Sequence, residues 1–474
     1  MLEPAYQADV VIVGAGVAGL AAAHRLTSAG VTTAVLEAAP YVGGRMATEK
    51  VDGFRLDRIG QLLSTSYPEL RLTPGLDALV LRPFAPGVLV HSDGRRHRAG
   101  APLGGGGARG ALGAVRALAS SPRPARTARS PRLTASVGAR TGAPLAGAVG
   151  EAVDQARLGA ALGRLAGVPV ERLLARPELP AARALANRGL PARTIEGFLR
   201  PLLAALLCDP ELTTSSRCAD LALRAFAGGR LCVPEGGAES LPELLARALP
   251  PGTVHTGVRV TSIATNLVTT ADHGELRCRA VLVATDARAA AGLLPGLRVP
   301  GFHPVTVVHH TADEAPATGA FLLLDADRRG PVAHTAVVSR VDPSRSPADR
   351  PLISSTVLGT PPRDVDAAVR THLSRLYGLS TARWETLAVH HTAEAVPAMR
   401  PPHDLRRPVR LLAGLYVCGD HRDTSTVQGA LHSGHRAATA ILTDLGAGPM
   451  HMAEPVRTTA TTATAEASEE AAAA

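Results

Sequence analysis

The first residues that could carry chemistry are three glycines near the start of the chain, Gly14, Gly16 and Gly19. In the spacing G-x-G-x-x-G the first glycine permits a tight turn, the second lets backbone approach a pyrophosphate, and the third lets a helix pack closely. The helix N-terminus presents free N–H groups to the anion. Glu37, about 20 residues further on, suits the ribose hydroxyls. The remaining candidate contacts in this segment are Ala15, Ala18 and Ala38.

The elements around these glycines make this match specific. Val10–Val13 predicts a strand, an Ala- and Leu-rich helix follows up to Ser28, and Thr33–Leu36 predicts a second strand. Together they form one βαβ unit of parallel sheet. A second G-x-G-x-x-G, Gly105–Gly110, has no strand before it and no acid at the right distance. We interpret that second match as a coincidence within a Gly-rich segment.

Two more motifs have residue types that suit a nucleotide cofactor. Gly43, Gly44 and Arg45 come soon after Glu37, and a guanidinium can pair bidentately with phosphate. Near the C-terminus a strand, a glycine turn and a helix follow one another between residues 416 and 445. The candidate contacts there are Gly419, Asp420, Val427, Gln428 and Ala430.

The pattern Glu37-x5-Gly43-Gly44-Arg45 resembles the FAD signature of the superfamily of flavin amine oxidases, protoporphyrinogen oxidases and phytoene desaturases. The resemblance covers about residues 8–445 and is weakest across 100–150. It implies FAD as the cofactor. In these relatives the acid corresponding to Asp420 binds the ribityl chain. The turn at Val427–Ala430 places a helix N-terminus at the flavin N1–C2 carbonyl, where the helix dipole stabilises the anionic reduced flavin.

Shorter stretches resemble other FAD contacts of the superfamily. Residues 53–61 are similar to the G-F-x-x-D-x-G segment that passes under the isoalloxazine, although the glycine, Gly60, stands one position later than usual; Gln61 follows it. Val260 corresponds to the valine whose backbone meets the adenine, and Ala284 begins the turn after the next strand. Residues 234–237 are similar to the Gly pair that returns the chain to the flavin.

The resemblance implies an α/β fold, in which an FAD-binding Rossmann-like domain of the GR2 type is interleaved with an α+β substrate domain. The substrate domain is expected to contain an antiparallel sheet and a helical part. We expect the FAD-binding domain at residues 1–80, 225–300 and 405–446, the substrate domain at 81–224 and 301–404 with a flexible segment at 100–141, and a disordered tail at 447–474.

Local patterns predict several elements. Asp93-Gly94 favours a hairpin turn, and the helical spacing from Ala152 to Leu207 is broken by prolines, Pro201 among them. Ser240 and Glu243 match a capping box at the start of a helix. Antiparallel strands are predicted at Val305–His310, Phe321–Leu324, Ala333–Val338 and Leu352–Val357.

Composition limits the partners. The chain has 474 residues, enough for two to three domains. Its net charge of +9 is spread along the chain without an aromatic-interleaved basic run, so we expect no nucleic-acid partner. Peripheral membrane contact stays an open alternative. The five cysteines lack disulfide or zinc spacing, and residues 1–9 lack a basic n-region, so we expect a cytoplasmic location.

The single lysine limits the chemistry. Amine oxidation in the superfamily usually relies on a lysine near the flavin and an aromatic cage, but Lys50 lies in the wrong segment, and Tyr416 and Trp384 fit sheet positions. We therefore favour removal of hydride from a C–C or C–N bond of a hydrophobic small molecule, with flavin N5 as acceptor. The alternatives are an amine oxidase with an atypical site, or a non-enzymatic prenyl- or lipid-binding protein of this fold.

Catalytic residues beyond the flavin are not assigned by the sequence. His421 and Asp423 are weak candidates for a proton relay, and His432 and His435 share a solvent-facing side of a helix with no evident third ligand, so no metal site is predicted. One dinucleotide site leaves an external electron acceptor, oxygen or a quinone. The apolar pattern from Thr194 to Leu207 fits either a substrate- or membrane-facing helix or an ordinary core helix.

Overall fold

The computed structural model describes residues 8–100 and 157–447. The predictions for the second glycine match, for most of the segment 100–141 and for nearly all of the tail fall outside these residues.

A six-stranded sheet begins with the predicted βαβ unit. Val10–Val13 pairs in parallel with Thr33–Glu37, and the helix Val17–Ser28 connects them. Both strands are apolar runs that are buried almost throughout, as expected when helices cover both faces of a parallel sheet. The last pair of the sheet is antiparallel. The strands lie in the order Val254–Thr256, Thr33–Glu37, Val10–Val13, Ala280–Val283, Leu415–Val417 and Arg410–Leu412.

The long helix near the C-terminus, Val427–Asp444, packs on the first helix. A Cβ at Gly434 would lie 2.2 Å from the carbonyl oxygen of Ala18, so the two backbones touch only because this residue is glycine. Three shorter helices near this sheet are Glu69–Leu72, Ser240–Arg247 and Ala287–Leu293. The predicted capping box is wrong: Ser240 is the first helical residue, and its hydroxyl donates to the carbonyl of Gly237.

A second sheet has seven strands. Neighbouring strands are antiparallel as predicted, except that Leu323–Asp325 pairs in parallel with Val88–Ser92. The predicted hairpin joins Val88–Ser92 to Arg95–Ala99 through Asp93 and Gly94, both at positive φ. The helix Val365–Tyr377 packs on this sheet. The order is Glu385–Pro397, Phe302–Thr311, Leu352–Leu358, Val332–Val337, Leu323–Asp325, Val88–Ser92 and Arg95–Ala99.

The helical part beside this sheet is made of short helices, as the prolines predict. The predicted break at Pro201 is wrong, because a π-helical turn, Ile195–Leu199, runs directly into the helix Arg200–Leu207. Pro201 is the second residue of that helix, directly after the π-helical turn. The others are residues 157–166, Val170–Leu174, Ala181–Ala186, Ala192–Thr194, Ser216–Gly228 and Val338–Val341.

The apolar segment from Thr194 to Leu207 packs in the hydrophobic core. Leu202 and Leu203 are fully buried, and they belong to a cluster that also holds Phe198 and Phe226. The core alternative is therefore the one that the packing favours. Within residues 8–100 and 157–447, no helix combines the length and apolar composition needed to cross a bilayer.

Three small sheets complete the fold. They consist of Thr48–Val51 with Phe54–Asp57, of Val260–Ile263 with Leu267–Thr270 and Glu275–Arg277, and of Leu63–Ser64 with Leu231–Pro234 and Leu81–Pro83. Two 3₁₀ turns in the described residues are Pro343–Arg345 and Asp420–Arg422.

The six-stranded sheet takes its strands from three separate parts of the chain, residues 10–37, 254–283 and 410–417. Because these parts are separated by other segments of the chain, we propose that the two domains are interleaved with the bounds predicted from the sequence.

Candidate functional site

One cavity collects residues from both ends of the chain. It has a volume of about 540 Å³ and opens at the carboxyl ends of the parallel strands, where ligands bind in open α/β sheets. Most of the predicted contact residues line it: Gly14, Gly16, Ala18, Glu37, Ala38, Gly43, Gly44, Arg45, Gln61, Val260, Ala284, Gly419, Asp420, Val427 and Ala430. A larger, more open depression beside the helix Val365–Tyr377 contains none of them.

The other four predicted residues do not line the cavity. Ala15 is fully buried and its N–H donates to Glu37. Gly19 packs against backbone, and Gly60 faces Val307 and Thr356. The side-chain oxygen of Gln428 accepts a hydrogen bond from the N–H of Glu69. For these residues we expect a structural role around the cofactor instead of direct contact.

The three glycines of the fingerprint have different surroundings. Gly14 has a φ of +108°, a conformation that favours glycine. A Cβ at Gly19 would lie 2.2 Å from the carbonyl oxygen of Gly14, whereas a Cβ at Gly16 would meet no atom within 4 Å. Gly16 therefore leaves open space in front of its backbone, and Gly19 allows close packing behind it.

The carboxylate of Glu37 is fixed by the backbone of the turn. One oxygen accepts a hydrogen bond of 2.8 Å from the N–H of Ala15, and the other accepts one of 2.9 Å from the N–H of Ala39. Each carboxylate oxygen has a second lone pair, so both can still accept a bond from a ribose hydroxyl.

Arg45 and Asp420 contact each other. The guanidinium donates a hydrogen bond of 2.6 Å to the Asp420 carboxylate and one of 2.8 Å to the carbonyl oxygen of Ala395. Burial opposes the charge on Arg45, but the nearby Asp420 outweighs it and holds the pKa of the guanidinium above its ordinary value. The site thus keeps a fixed positive group in the cavity wall.

The helix Val427–Asp444 begins at the cavity. Thr426 caps it, because its hydroxyl oxygen accepts a hydrogen bond from the N–H of Gly429. Thr426, Val427 and Ala430 line the cavity, so the positive end of an 18-residue helix dipole points to it. Open space at Gly16 and Gly44, the fixed guanidinium and this helix end fit an FAD molecule with its pyrophosphate and flavin carbonyls.

A buried ionic cluster supports one wall of the cavity. Arg345 lies between Asp57 and Asp342, at 2.9 and 3.0 Å, and is only 1% exposed. Burial alone would raise the pKa of Asp57, but Arg345 and the N–H of Ala238 hold it below its ordinary value. Asp342 accepts a hydrogen bond from the N–H of Gly236. The cluster therefore holds the glycine turn against the cavity.

Sequence reasoning missed several cavity residues. Ala395 lines the cavity and stands outside every glycine motif, and Ile59 lines it within the segment 53–61, where only Gly60 and Gln61 were singled out. Ala395 lies in the long edge strand Glu385–Pro397, and only the tertiary fold brings it to Arg45. Asp286 lines the cavity too, and its carboxylate caps the helix Ala287–Leu293.

A family model described as flavin containing amine oxidoreductase matches residues 17–442. The chain belongs to this family. The predictions of FAD, of a flavoprotein and of an oxidoreductase are confirmed at the level of the family.

Known proteins are similar to this chain over a fifth to nine tenths of its length. Putrescine oxidase of Kocuria rosea is 45% identical over 98 residues, 20% of each chain. Hydroxysqualene dehydroxylase of Sinorhizobium fredii is 27% identical over 272 residues, 52% of this chain and 62% of that one. The chain therefore aligns with about a fifth of the length of the curated relatives first matched. An oxidoreductase structure from Methanosarcina mazei has a TM-score of 0.64 at 16% identity, covering 90% and 99% of the two chains, which shows a shared α/β fold.

The lysine and the aromatic residues lie away from the cavity of this flavoprotein. Lys50 is exposed and pairs with Glu239 at 3.1 Å. Tyr416 is fully buried and its hydroxyl donates to Asp444. Trp384 packs against Tyr377 and His310, just before the strand Glu385–Pro397 and not within it. None of the three residues lines the cavity.

The histidines next to the flavin motif are buried or paired. Burial lowers the pKa of His421 to about 4, and the ring nitrogens have no hydrogen-bond partner among the described residues. The predicted solvent-facing side is found at His432, which is 42% exposed and lies 3.0 Å from Asp423, but not at His435, which is 14% exposed and lies 2.6 Å from Glu69. The relay of His421 with Asp423 stays a hypothesis, since neither lines the cavity.

Proposed function

We propose that the chain is an FAD-dependent oxidoreductase that removes hydride from a C–C or C–N bond of a hydrophobic small molecule. The observation that carries the proposal is the meeting of the two motifs, from residues 14–45 and 419–430, around one cavity. When bound, FAD supplies a two-electron acceptor at N5. Gly16 and Gly44 would face the pyrophosphate, Glu37 the ribose, and Arg45 an anionic group of the cofactor.

The residues of the cavity favour a substrate that needs no protein base. The ionisable side chains that line it are Glu37, Arg45, Asp57, Asp286 and Asp420, and each already has a partner. Glu37 and Asp286 accept backbone N–H bonds, Asp57 pairs with Arg345, and Arg45 pairs with Asp420.

The rest of the described lining contains no histidine, lysine, tyrosine or tryptophan. These residues would mainly contact FAD, and where a cationic amine reached the cofactor they would offer it no free carboxylate and no aromatic cage. An apolar substrate needs only a lined space and correct orientation, which apolar residues such as Ile59 and Ala395 can supply.

Amine oxidation is the second candidate, favoured by the likeness to putrescine oxidase of Kocuria rosea. It would require a site of unusual composition, because Lys50 is the single lysine of the chain and lies outside the cavity.

We further propose oxygen or a quinone as the external electron acceptor. A cytoplasmic location rests on the five cysteines, all of which are unpaired.

Anaerobic reduction of the purified protein tests the proposal. A yellow protein with flavin absorbance near 450 nm is expected, and the absorbance should bleach with an apolar alkene and return with air or a quinone. Bleaching by putrescine but not by apolar compounds would support the amine alternative. A protein that stays colourless after FAD is added, yet binds a prenyl compound, would overturn the enzymatic proposal.

A further inference from the structure

We propose that His91, Asp325 and Asp327 form a binding site for a divalent cation of the zinc type. The three residues lie near one end of the seven-stranded sheet, one strand in from the edge strand Arg95–Ala99, where Val88–Ser92 and Leu323–Asp325 are parallel neighbours. His91 and Asp325 stand opposite each other in that register, and Asp327 follows two residues later. A cation held there would fasten the hairpin of residues 88–99 to the rest of the sheet.

The distances between the three side chains suit a shared cation better than direct hydrogen bonds. The Nδ1 atom of His91 lies 3.5 Å from an oxygen of Asp327 and 3.9 Å from an oxygen of Asp325. All three ligand atoms lie within 4.8 Å of one another. A hydrogen bond would be about 2.9 Å long. Tetrahedral zinc with ligands at about 2.1 Å separates them by about 3.4 Å.

The site is buried and its nitrogen has no hydrogen-bond partner. His91 is 8% exposed, Asp325 is 4% exposed, and the Nδ1 atom of His91 has no hydrogen-bond partner among the described residues. Nor does any arginine or lysine in the described parts of the chain form an ion pair with Asp325 or Asp327. Two carboxylates that meet at a buried place without an arginine or lysine partner concentrate negative charge there, which is costly. A divalent cation would neutralise that charge.

Neighbouring groups fix the orientation of the carboxylates, as in known metal sites. His372 accepts the N–H of Val332 at its Nδ1 atom, so the neutral ring carries its proton on Nε2, which faces Asp325 at 3.4 Å. One oxygen of Asp325 also accepts the N–H of Asp327. The carboxylate of Asp327 accepts the N–H of Asp93 at the tip of the hairpin. An imidazole nitrogen and two carboxylates are ligands that Zn²⁺ or Mn²⁺ accepts.

Calorimetric titration with Zn²⁺ tests the proposal on untagged, EDTA-treated holoenzyme. Wild type is expected to bind one more equivalent of Zn²⁺ than Asp327→Asn or His91→Gln, and its melting temperature should rise with Zn²⁺ while theirs does not. The Asp327 side chain is 12% exposed, against 2% for Asp325, so the variant at this less buried position is informative even if the histidine variant folds poorly. The matched control is Asp366→Asn, which removes a carboxylate of the helix Val365–Tyr377 that is already bonded, at 2.9 Å, to His310 of the same sheet.

Equal zinc binding by wild type and Asp327→Asn would overturn the proposal. The absence of saturable binding in wild type would do the same. If Asp366→Asn also lost one equivalent of bound Zn²⁺, the proposal would be contradicted, because the effect would not be specific to this cluster. Flavin absorbance of each variant is expected to match wild type, which separates this test from that of the proposed function.

Discussion

The guanidinium of Arg45 donates a 2.6 Å hydrogen bond to the carboxylate of Asp420, although 375 residues separate the two in the chain. Arg45 also bonds to the carbonyl oxygen of Ala395, in the long strand of the seven-stranded sheet. One side chain thus connects three distant segments at the wall of the cavity. The glycine motif after Glu37 and the motif near the C-terminus depend on each other for their positions.

Removing either partner of this pair is expected to weaken FAD binding. Arg45→Met leaves Asp420 without its charged partner, and Asp420→Asn leaves the guanidinium with a weaker acceptor. Hydrogen bonds to charged groups contribute about 1.5–3 kcal/mol, so we expect FAD to dissociate at least about tenfold more readily from each variant. Flavin fluorescence released on dilution measures this change.

The double variant tests whether the two residues act together. Residues in contact show coupling energies of about 0.5–3 kcal/mol. The double variant should therefore lose less free energy of FAD binding than the two single variants lose together. The exposed pair Arg350–Glu385 offers the control, since surface ion pairs contribute about 0–1 kcal/mol. If the losses of FAD binding free energy in the Arg45 and Asp420 variants are additive, the contact between the two residues does not organise the site.

Alanine at two glycines of the fingerprint should have separable effects. A Cβ at Gly19 would collide with the carbonyl oxygen of Gly14, whereas a Cβ at Gly16 would enter the open cavity. Gly19→Ala should therefore lower the melting temperature of the FAD-free protein, and Gly16→Ala should leave it near wild type but reduce FAD retention. The prediction fails if Gly16→Ala retains FAD like wild type, because backbone approach at that residue would then be irrelevant to binding.

Much of the cofactor cavity could be predicted, because glycine spacing, strand and helix patterns and one acid at a fixed distance are local signals. Glu37 and Val427 belong to such patterns, and both line the cavity. Arg345 could not be found in this way. Its role depends on Asp57 and Asp342, and only the tertiary fold brings Asp57 to it from 288 positions away, 345 minus 57.

The metal-ligand geometry also had no sequence signature. His91 is 234 positions from Asp325, 325 minus 91, and the parallel pairing of their strands was not predicted. The expectation of an antiparallel sheet would have placed different residues side by side. The capping box at Ser240 was wrong for a related reason, since the turn that precedes the helix is held by Asp57 and Asp342 from other segments.

Replacing Arg345 is expected to destabilise the whole fold. Arg345→Met would leave Asp57 and Asp342 as buried carboxylates without a cation, and breaking a buried pair on one side costs about 3–5 kcal/mol. Urea unfolding measures the loss. The exposed Arg383, which pairs with Asp313 at 3.5 Å, provides the control, and Arg383→Met should change the free energy of unfolding by less than about 1 kcal/mol. Similar losses in both variants would contradict a special role for the buried cluster.

Acid should destabilise the protein through its buried histidines, of which His334 has the simplest surroundings. Burial lowers its pKa to about 4, so between pH 6.5 and 4 the unfolded chain binds a proton there and the folded chain does not. Stability is therefore full above pH 6.5 and is lost as the pH falls, by up to about 1.4 kcal/mol per pH unit for each such residue. Burial also lowers the pKa values of His309 and His421 to about 4.

His334→Leu removes one of these buried titratable side chains without introducing a polar group into the core. The free energy of unfolding of this variant, measured in urea at pH 7, 6 and 5, should fall less steeply with acid than that of wild type. His97→Gln, on the exposed strand Arg95–Ala99, controls for a histidine substitution outside the core. Parallel curves for wild type and His334→Leu would show that His334 is not forced to stay neutral in the folded protein, and the acid sensitivity would then have to come from other groups.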